Sequence, residues 1–168
     1  ECAVNGAFYS TGQRCTASSR TIVTEGIYSA FTTAMLERTK ALKVGAALDA
    51  NTQIGPVVDQ RQLDKNLKYV GIGVDEGGKL LAGGERLAGA GYFFSPAVIE
   101  NHNPQARLNQ EEVFGPMSTL VKVKNFEEAL AVANATPYGL SGGICTSSLK
   151  YATQFRREID RKSTRLNS

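Results

Sequence analysis

The chain has 168 residues, of which 42% are hydrophobic and 21% are charged, and its formal net charge is +3. This composition supports one globular domain with its own core and excludes a disordered or fibrous chain. No apolar run is long enough to cross a bilayer and no segment resembles a secretory signal, so we expect no membrane association. Three cysteines without paired spacing favour reduced thiols in the cytoplasm.

The small positive charge does not indicate a nucleic-acid partner. Arg161, Lys162 and Arg165 lie together in the last nine residues, and without them the net charge would be zero. Together with Arg156 and Arg157, this cluster is more typical of a solvated chain end than of a phosphate-binding patch.

Short strand patterns alternate with helical periods along the chain. Asp59 and Asn125 are suited to cap helices, and Gly77-Gly78 is suited to end one. In chain order we predict strand 21–24, helix 27–42, a helix from Asp59 to Gly77, strands 79–82, 93–99 and 119–123, a helix from Asn125, strand 140–146 and helix 149–157. The alternation predicts an α/β fold with a mainly parallel sheet covered by helices and with function on loops at one edge.

Apolar residues at helical spacing predict which helix faces are buried. The first helix has the stripe Ile27, Phe31, Met35 and Leu42, and the second has Leu63, Leu67, Val70 and Val74.

Some patterns that resemble ligand sites have simpler explanations. In the helical segment 71–73, Gly-Ile-Gly resembles a dinucleotide fingerprint, but Glu76 replaces its third glycine, so helix termination explains it better. His102 is the only histidine and lies in a polar loop, so we expect no metal site. Cys2 and Cys145 lack a glycine turn and an adjacent cation, and we expect them to be packing residues.

Cys15 lies in the most informative segment, residues 8–20. Gly12 and Gln13 allow a tight turn before the thiol, Arg14 adds a positive charge beside it, and the small residues that follow leave it accessible. A nucleophilic thiolate requires such a setting. The alternative is that Cys15 is a small buried hydrophobic residue.

Segment 8–20 resembles the nucleophile segment of aldehyde dehydrogenases. Segment 110–116, Gln-Glu-Glu-Val-Phe-Gly-Pro, is similar to that family's E-E-(I/V)-F-G-P segment, which lies against the nicotinamide half of the cofactor. Segments 54–59 and 137–141 also fit in order and separation, so the resemblance spans about residues 3–159. Segments 8–19 and 143–153 resemble the 2-oxoglutarate semialdehyde (2,5-dioxopentanoate) dehydrogenase branch.

The resemblance implies an oxidoreductase that uses NAD or NADP to convert an aldehyde into a carboxylic acid. The Cys15 thiolate would attack the aldehyde, hydride would pass to the cofactor, and water activated by a glutamate would hydrolyse the thioester. The Cys15 amide and an asparagine would hold the oxyanion. The glutamate and asparagine motifs and the adenine-binding Rossmann unit are not in this sequence, so we expect the chain alone to be inactive.

The resemblance also implies cofactor contacts. Glu112, rather than Glu111, would bind the nicotinamide ribose hydroxyls, and Phe114 would pack near the nicotinamide. Gln62 would assist from the second helix, although a plain solvent-exposed helix position is an alternative. Leu140 would back the nicotinamide or belong to the core.

For the substrate, an aldehyde, the resemblance implies contacts beside the nucleophile. Arg14 would pair with the carboxylate of an acidic semialdehyde, or would only tune the thiol. Phe8 and Tyr9 would form an aromatic wall of the substrate tunnel, or would pack on the preceding helix.

We expect residues 1–159 to be a partial aldehyde dehydrogenase catalytic domain, truncated at both ends from an enzyme that forms homo-oligomers. Residues 160–168 match the translation of a sequencing adapter and are expected to be a non-native tail. Two alternatives remain. One is a non-catalytic α/β remnant or oligomerisation module, and the other is a dehydrogenase that passes its acyl group to coenzyme A.

Overall fold

The computed structural model describes residues 1–160 and the backbone of Ser163–Asn167. Arg161, Lys162 and Ser168 of the predicted tail lie outside the described residues. The helices are α1 Cys2–Phe8, α2 Glu25–Lys40, α3 Gln60–Asp75, α4 Arg107–Gln110, α5 Phe126–Asn134 and α6 Leu149–Glu158. The strands are β1 Arg20–Thr24, β2 Lys79–Ala82, β3 Ala97–Glu100, β4 Met117–Val123, β5 Ser141–Cys145 and β6 Ser163–Asn167. A 3₁₀ turn over Tyr9–Gly12 follows α1.

Four strands form the main sheet in the order β1-β4-β3-β2. β1 and β3 both run parallel to β4, and β2 is antiparallel to β3. All of β4 except Lys122 is buried, as expected for a strand that is covered on both faces. The structure therefore confirms the predicted mainly parallel sheet with covering helices.

Two core clusters lie on opposite faces of this sheet. Val98 of β3 belongs to one cluster, and its neighbours Ala97 and Ile99 belong to the other. Because successive strand residues point to opposite faces, the clusters must do so too. The first cluster covers the sheet with α1 and α2, and the second covers it with α3 and α4.

A third, smaller cluster joins α5 and α6 through Phe126, Leu130, Phe155 and Ile159. The ring of Phe126 also stacks on that of Tyr151, with ring centroids 4.5 Å apart. Beside this cluster, β5 and the backbone of β6 pair in parallel. β6 lies within the residues expected to be a non-native tail, and that origin stays a prediction.

α2 and α3 are the longest helices, with 16 residues each. The Asp59 carboxylate accepts a hydrogen bond from the Gln62 backbone N–H at 2.9 Å, which confirms the predicted cap of α3. The helix ends before Gly77, whose φ is 84°, and segment 71–73 lies inside it. In the part of the chain that the structure describes, no helix has the length and apolar character of a membrane span.

Parts of the predicted pattern are wrong. The strand predicted at 93–99 begins only at Ala97 because Pro96 has no N–H to give to a sheet. Ile27 and Val74 were expected in buried stripes but are 57% and 46% exposed. Each stands in the terminal turn of its helix, where fewer neighbours cover the side chain than at the middle of the helix.

The expected packing roles of Cys2 and Cys145 are also wrong. Both thiols are exposed, as is that of Cys15, and none of the three forms a disulfide. Cys2 is the first residue of α1. Cys145 shares the exposed side of β5 with Gly143, because alternate strand residues face the same way.

Candidate active site

Cys15 lies in an exposed turn between the 3₁₀ turn and β1. The residues leading into this turn, Ser10, Thr11 and Gly12, have φ angles of 55°, 59° and 63°. Glycine adopts this conformation freely, whereas Ser10 and Thr11 do so at a steric cost. The sequence predicts the turn at Gly12, but it gives no signal for the two strained residues before it.

Arg14 ties this turn to α1. Its Nη2 donates hydrogen bonds to the carbonyl oxygens of Asn5 at 3.2 Å and Gly6 at 3.0 Å. The Ser18 backbone N–H donates to the same Gly6 oxygen at 2.9 Å. Arg14 therefore helps to hold the turn that carries Cys15, and its contact with a substrate carboxylate stays a prediction.

The Cys15 backbone amide is available to a ligand. The Ala17 N–H donates to the Arg14 carbonyl at 3.0 Å, whereas the Cys15 N–H has no hydrogen-bond partner among the residues that the structure describes. An unpaired N–H next to a thiol can donate to an oxygen that becomes negative during attack. This geometry is consistent with the oxyanion role predicted for the Cys15 amide.

The segment 110–116 lies directly against the nucleophile turn. A Cβ atom placed on Gly12 would lie only 2.2 Å from the Gly115 carbonyl oxygen. From the other side, the Gln13 side-chain oxygen accepts a hydrogen bond from the Val58 N–H at 3.0 Å. The fold thus brings together three segments that are far apart in the sequence.

The adjacent glutamates of this segment have different environments. Arg107 donates from Nε and Nη2 to the two carboxylate oxygens of Glu111, each at 3.0 Å, and the Tyr69 hydroxyl donates to one of them. The hydrogen bonds from Arg107, and then that from Tyr69, lower the pKa of Glu111 to about 2. Glu112 is exposed, and among the described residues its carboxylate has no partner. Glu112 is therefore the one available to a ligand.

The Glu111→Gln variant is expected to lose less stability than the unchanged chain as the pH falls into the acid range. The folded pKa of Glu111, about 2, lies below its usual value of 4.5. Ionised Glu111 therefore stabilises the fold above pH 4.5, and this contribution is lost as the pH falls towards 2. Thermal midpoints measured from neutral pH downwards should fall more steeply for the unchanged chain than for Glu111→Gln.

Glu112→Gln is the matched control, because it makes the same chemical change one residue away. Its midpoints should follow the unchanged chain over the whole acid range. Parallel curves for the unchanged chain and Glu111→Gln would contradict the stabilising role of the Arg107 and Tyr69 hydrogen bonds.

Two side chains of α3 hold the segment 112–114 through hydrogen bonds to the backbone carbonyls of that segment. The Lys65 ammonium donates to the Glu112 carbonyl at 2.8 Å, and Gln62 Nε2 donates to the Val113 carbonyl at 3.0 Å. Gln62 is half-buried, so the alternative of a plain solvent-exposed position is wrong. Phe114 has a φ of 62° and is 38% exposed, so a strained backbone presents its ring at the surface.

The aromatic residues predicted beside the substrate are placed differently from each other. Phe8 is 0% exposed and belongs to the core cluster of Val4 and Met35, so it cannot line an accessible tunnel and has the packing role instead. Tyr9 is half-buried, and its hydroxyl accepts a hydrogen bond from Gln53 Nε2 at 3.4 Å. Its role in substrate binding stays a prediction.

Three supporting residues were not predicted from the sequence, namely Arg107, Tyr69 and Lys65. Arg107 and Glu111 are four residues apart, a spacing at which opposite charges meet on a helical turn, so this pair was detectable. Tyr69 and Lys65 carry no such signal, because their partners are more than 40 residues away.

Leu140 is exposed, which excludes the core alternative. The Nδ1 atom of His102 accepts a hydrogen bond from the Lys122 backbone N–H at 3.2 Å. Within the described residues, no three metal-ligating side chains form a group that could hold an ion.

The chain belongs to the aldehyde dehydrogenase family, whose family model matches residues 1–168. It is 42% identical to the alpha-ketoglutaric semialdehyde dehydrogenase of Bacillus subtilis, over 100% of this chain and 35% of that protein. It is 38% identical to the 2,5-dioxopentanoate dehydrogenase of Saccharolobus solfataricus, over 99% of this chain and 35% of that protein. These matches confirm the resemblance described from the sequence.

The fold is also shared with solved structures of the family. A 1-pyrroline-5-carboxylate dehydrogenase from Thermus with bound NAD superposes with a TM-score of 0.95 at 43% identity. The superposed region comprises 98% of the present chain and 32% of the Thermus chain. The present chain therefore spans about a third of the length of the relatives it matches.

Proposed function

We propose that this chain is part of an NAD(P)-dependent aldehyde dehydrogenase in which Cys15 is the nucleophile. The strongest support is the distribution of backbone strain. Among the described residues, the non-glycine positions with positive φ are Ser10, Thr11 and Phe114, and all lie in the two segments that touch at Gly12 and Gly115. Strained backbone persists where function needs a defined geometry.

Cys15 supplies the covalent step of the proposed reaction. As a thiolate it attacks the aldehyde carbon and forms a thiohemiacetal, while its amide N–H donates to the former carbonyl oxygen. A bound NAD(P)⁺ would supply the hydride acceptor for this carbon, and Glu112 and Phe114 would hold its nicotinamide end. The acyl group remains on the Cys15 sulfur as a thioester until water cleaves the bond and releases the carboxylic acid and the thiol.

Glu112, Phe114 and Gln62 are proposed to meet the nicotinamide end of the cofactor. The ionised Glu112 carboxylate can accept hydrogen bonds from ribose hydroxyls, and the Phe114 ring offers an apolar surface. Gln62 Nε2 has two hydrogens and already donates to Val113 and Asn66. Gln62 therefore contributes through its Oε1 atom, as an acceptor.

The proposed substrate is an aldehyde that also carries a carboxylate, such as 2-oxoglutarate semialdehyde. The names of the Bacillus and Saccharolobus relatives denote such compounds, and that of the Thermus structure also denotes a carboxylate. Arg14 is the proposed partner of the substrate carboxylate. Because its Nη2 is already bonded to α1, the contact would have to come from Nη1.

We further propose a reducing, cytoplasmic location and a homo-oligomeric enzyme. Three exposed cysteines without a disulfide among the described residues are typical of a reducing compartment. Exposed apolar side chains such as Ile27 and Leu149 offer surface either to the rest of a longer protein or to a second copy.

The test begins with sequencing the source DNA beyond both ends of this reading frame. The complete protein is then assayed for reduction of NAD and NADP with 2-oxoglutarate semialdehyde, and with betaine aldehyde as a cationic comparison. We expect turnover that favours the acidic aldehyde, and no turnover by the 168-residue chain alone. Absence of turnover with every aldehyde, or a frame without an upstream cofactor domain, would favour the non-catalytic alternative.

A further inference from the structure

Asn66 is a polar residue in the core beneath the candidate site. It lies in the middle of α3 and is 0% exposed, with the fully buried Leu63 one turn before it. An apolar side chain of similar size could fill this space without the cost of burying an amide. A specific contact therefore has to account for the asparagine.

That contact is a hydrogen bond with Gln62. Gln62 Nε2 donates to Asn66 Oδ1 at 2.7 Å and to the Val113 carbonyl at 3.0 Å. Because a carbonyl oxygen can only accept, the Gln62 nitrogen must face Val113, and Asn66 must then present its oxygen to that nitrogen. Asn66 thus accepts one of the two hydrogen bonds that hold the Gln62 amide against the segment 112–115.

Asn66 also supports Gly115 directly. A Cβ atom on Gly115 would lie 2.3 Å from Asn66 Oδ1 and 2.7 Å from its Nδ2, so the Gly115 backbone rests on the Asn66 amide. On its other side, the Gly115 carbonyl oxygen meets Gly12 of the nucleophile turn. Gly115 is therefore confined between Asn66 and the turn that carries Cys15.

We propose that Asn66 is a positioning residue, which holds the segment 112–115 in place through Gln62 and Gly115 and so sets Glu112 and Phe114 relative to the nucleophile turn. Asn66 touches neither substrate nor cofactor. Its assignment as a residue that affects turnover rests on the proposed function. Its effect on the order of the segment does not, because that follows from the contacts alone.

The test compares Asn66→Leu, which has a similar size but no acceptor, with the unchanged complete protein. Amide hydrogen exchange in peptides covering 110–116 should become faster by about tenfold or more. In the NAD-linked assay, KM for NAD should rise about tenfold, and kcat should change by less than about threefold. The reason is that misplaced Glu112 and Phe114 weaken cofactor binding, whereas Cys15 lies on a separate turn. Asn66→Asp keeps the acceptor for Gln62 and should restore much of the exchange protection.

Asn101→Leu is the matched control, since Asn101 is another buried asparagine and its contacts involve neither Gln62 nor Gly115. It should lower the thermal midpoint without changing exchange in 110–116 or KM for NAD. If Asn66→Leu does not fold, Gln62→Met removes the hydrogen bond to Asn66 together with that to Val113, and it should also give faster exchange in 110–116. Unchanged exchange in 110–116 for the folded variant would overturn the proposal.

The two proposals fail in different ways. If the unchanged complete protein shows no NAD-linked turnover, the proposed function fails, and hydrogen exchange alone decides the positioning role. If turnover is present but Asn66→Leu leaves both exchange and KM as they were, the positioning role is wrong and the proposed function stands.

Discussion

Replacing Cys15 by serine in the complete protein is expected to lower kcat/KM for aldehyde oxidation by at least about 10³-fold. A serine hydroxyl has nearly the same size but is a far weaker nucleophile at neutral pH unless a base activates it, and no side chain of the described turn supplies such a base. The measurement is the rate of NAD reduction at saturating cofactor. Because Cys15 is exposed and outside the core clusters, the thermal midpoint should change little.

Cys2→Ser and Cys145→Ser are the controls for this loss, because both thiols are exposed but lie outside the nucleophile turn. Each should retain turnover close to that of the unchanged protein. Iodoacetamide at neutral pH should label Cys15 faster than the other two, and a difference in burial cannot explain this because all three are exposed. Equal, slow labelling together with full activity of Cys15→Ser would support a non-catalytic α/β module.

The largest expected effect on stability is that of Gly12→Ala, at about 2–4 kcal/mol. The added Cβ would meet the Gly115 carbonyl oxygen at 2.2 Å, and that atom belongs to a backbone held from its other side by Asn66. Alanine would also have to adopt a φ of 63°. Urea denaturation of the unchanged chain and the variant measures the difference in free energy of unfolding.

Gly71→Ala is the matched control, because the same change is made in the interior of α3, where nothing lies within 4 Å of the added Cβ. It should raise the free energy of unfolding by about 0.5–1 kcal/mol, since alanine restricts the unfolded chain and favours the helix. Opposite signs at the two glycines are the expected result. A Gly12→Ala variant as stable as the unchanged chain would contradict the close contact between the nucleophile turn and segment 110–116.

Much of the fold was predictable because its signals are local. The cap at Asp59 and the glycines after α3 define both ends of that helix within the sequence itself. The mainly parallel order of the sheet follows from the alternation of strand and helix. Cys15 and Glu112 are likewise predicted from short segments. The exposed residues in the terminal turns of the helices and the strand start at Pro96 show where local patterns fail.

Motifs and periodicity in the sequence were enough to identify the family, the α/β class and the segments that carry the candidate chemistry. The folded structure was needed to show that Glu111 is engaged while Glu112 is available, that Phe8 is in the core, and that Asn66 lies under Gly115. Each of these depends on atoms brought together from distant parts of the chain. Composition and residue spacing do not reveal such distances, because the packing of the folded chain sets them.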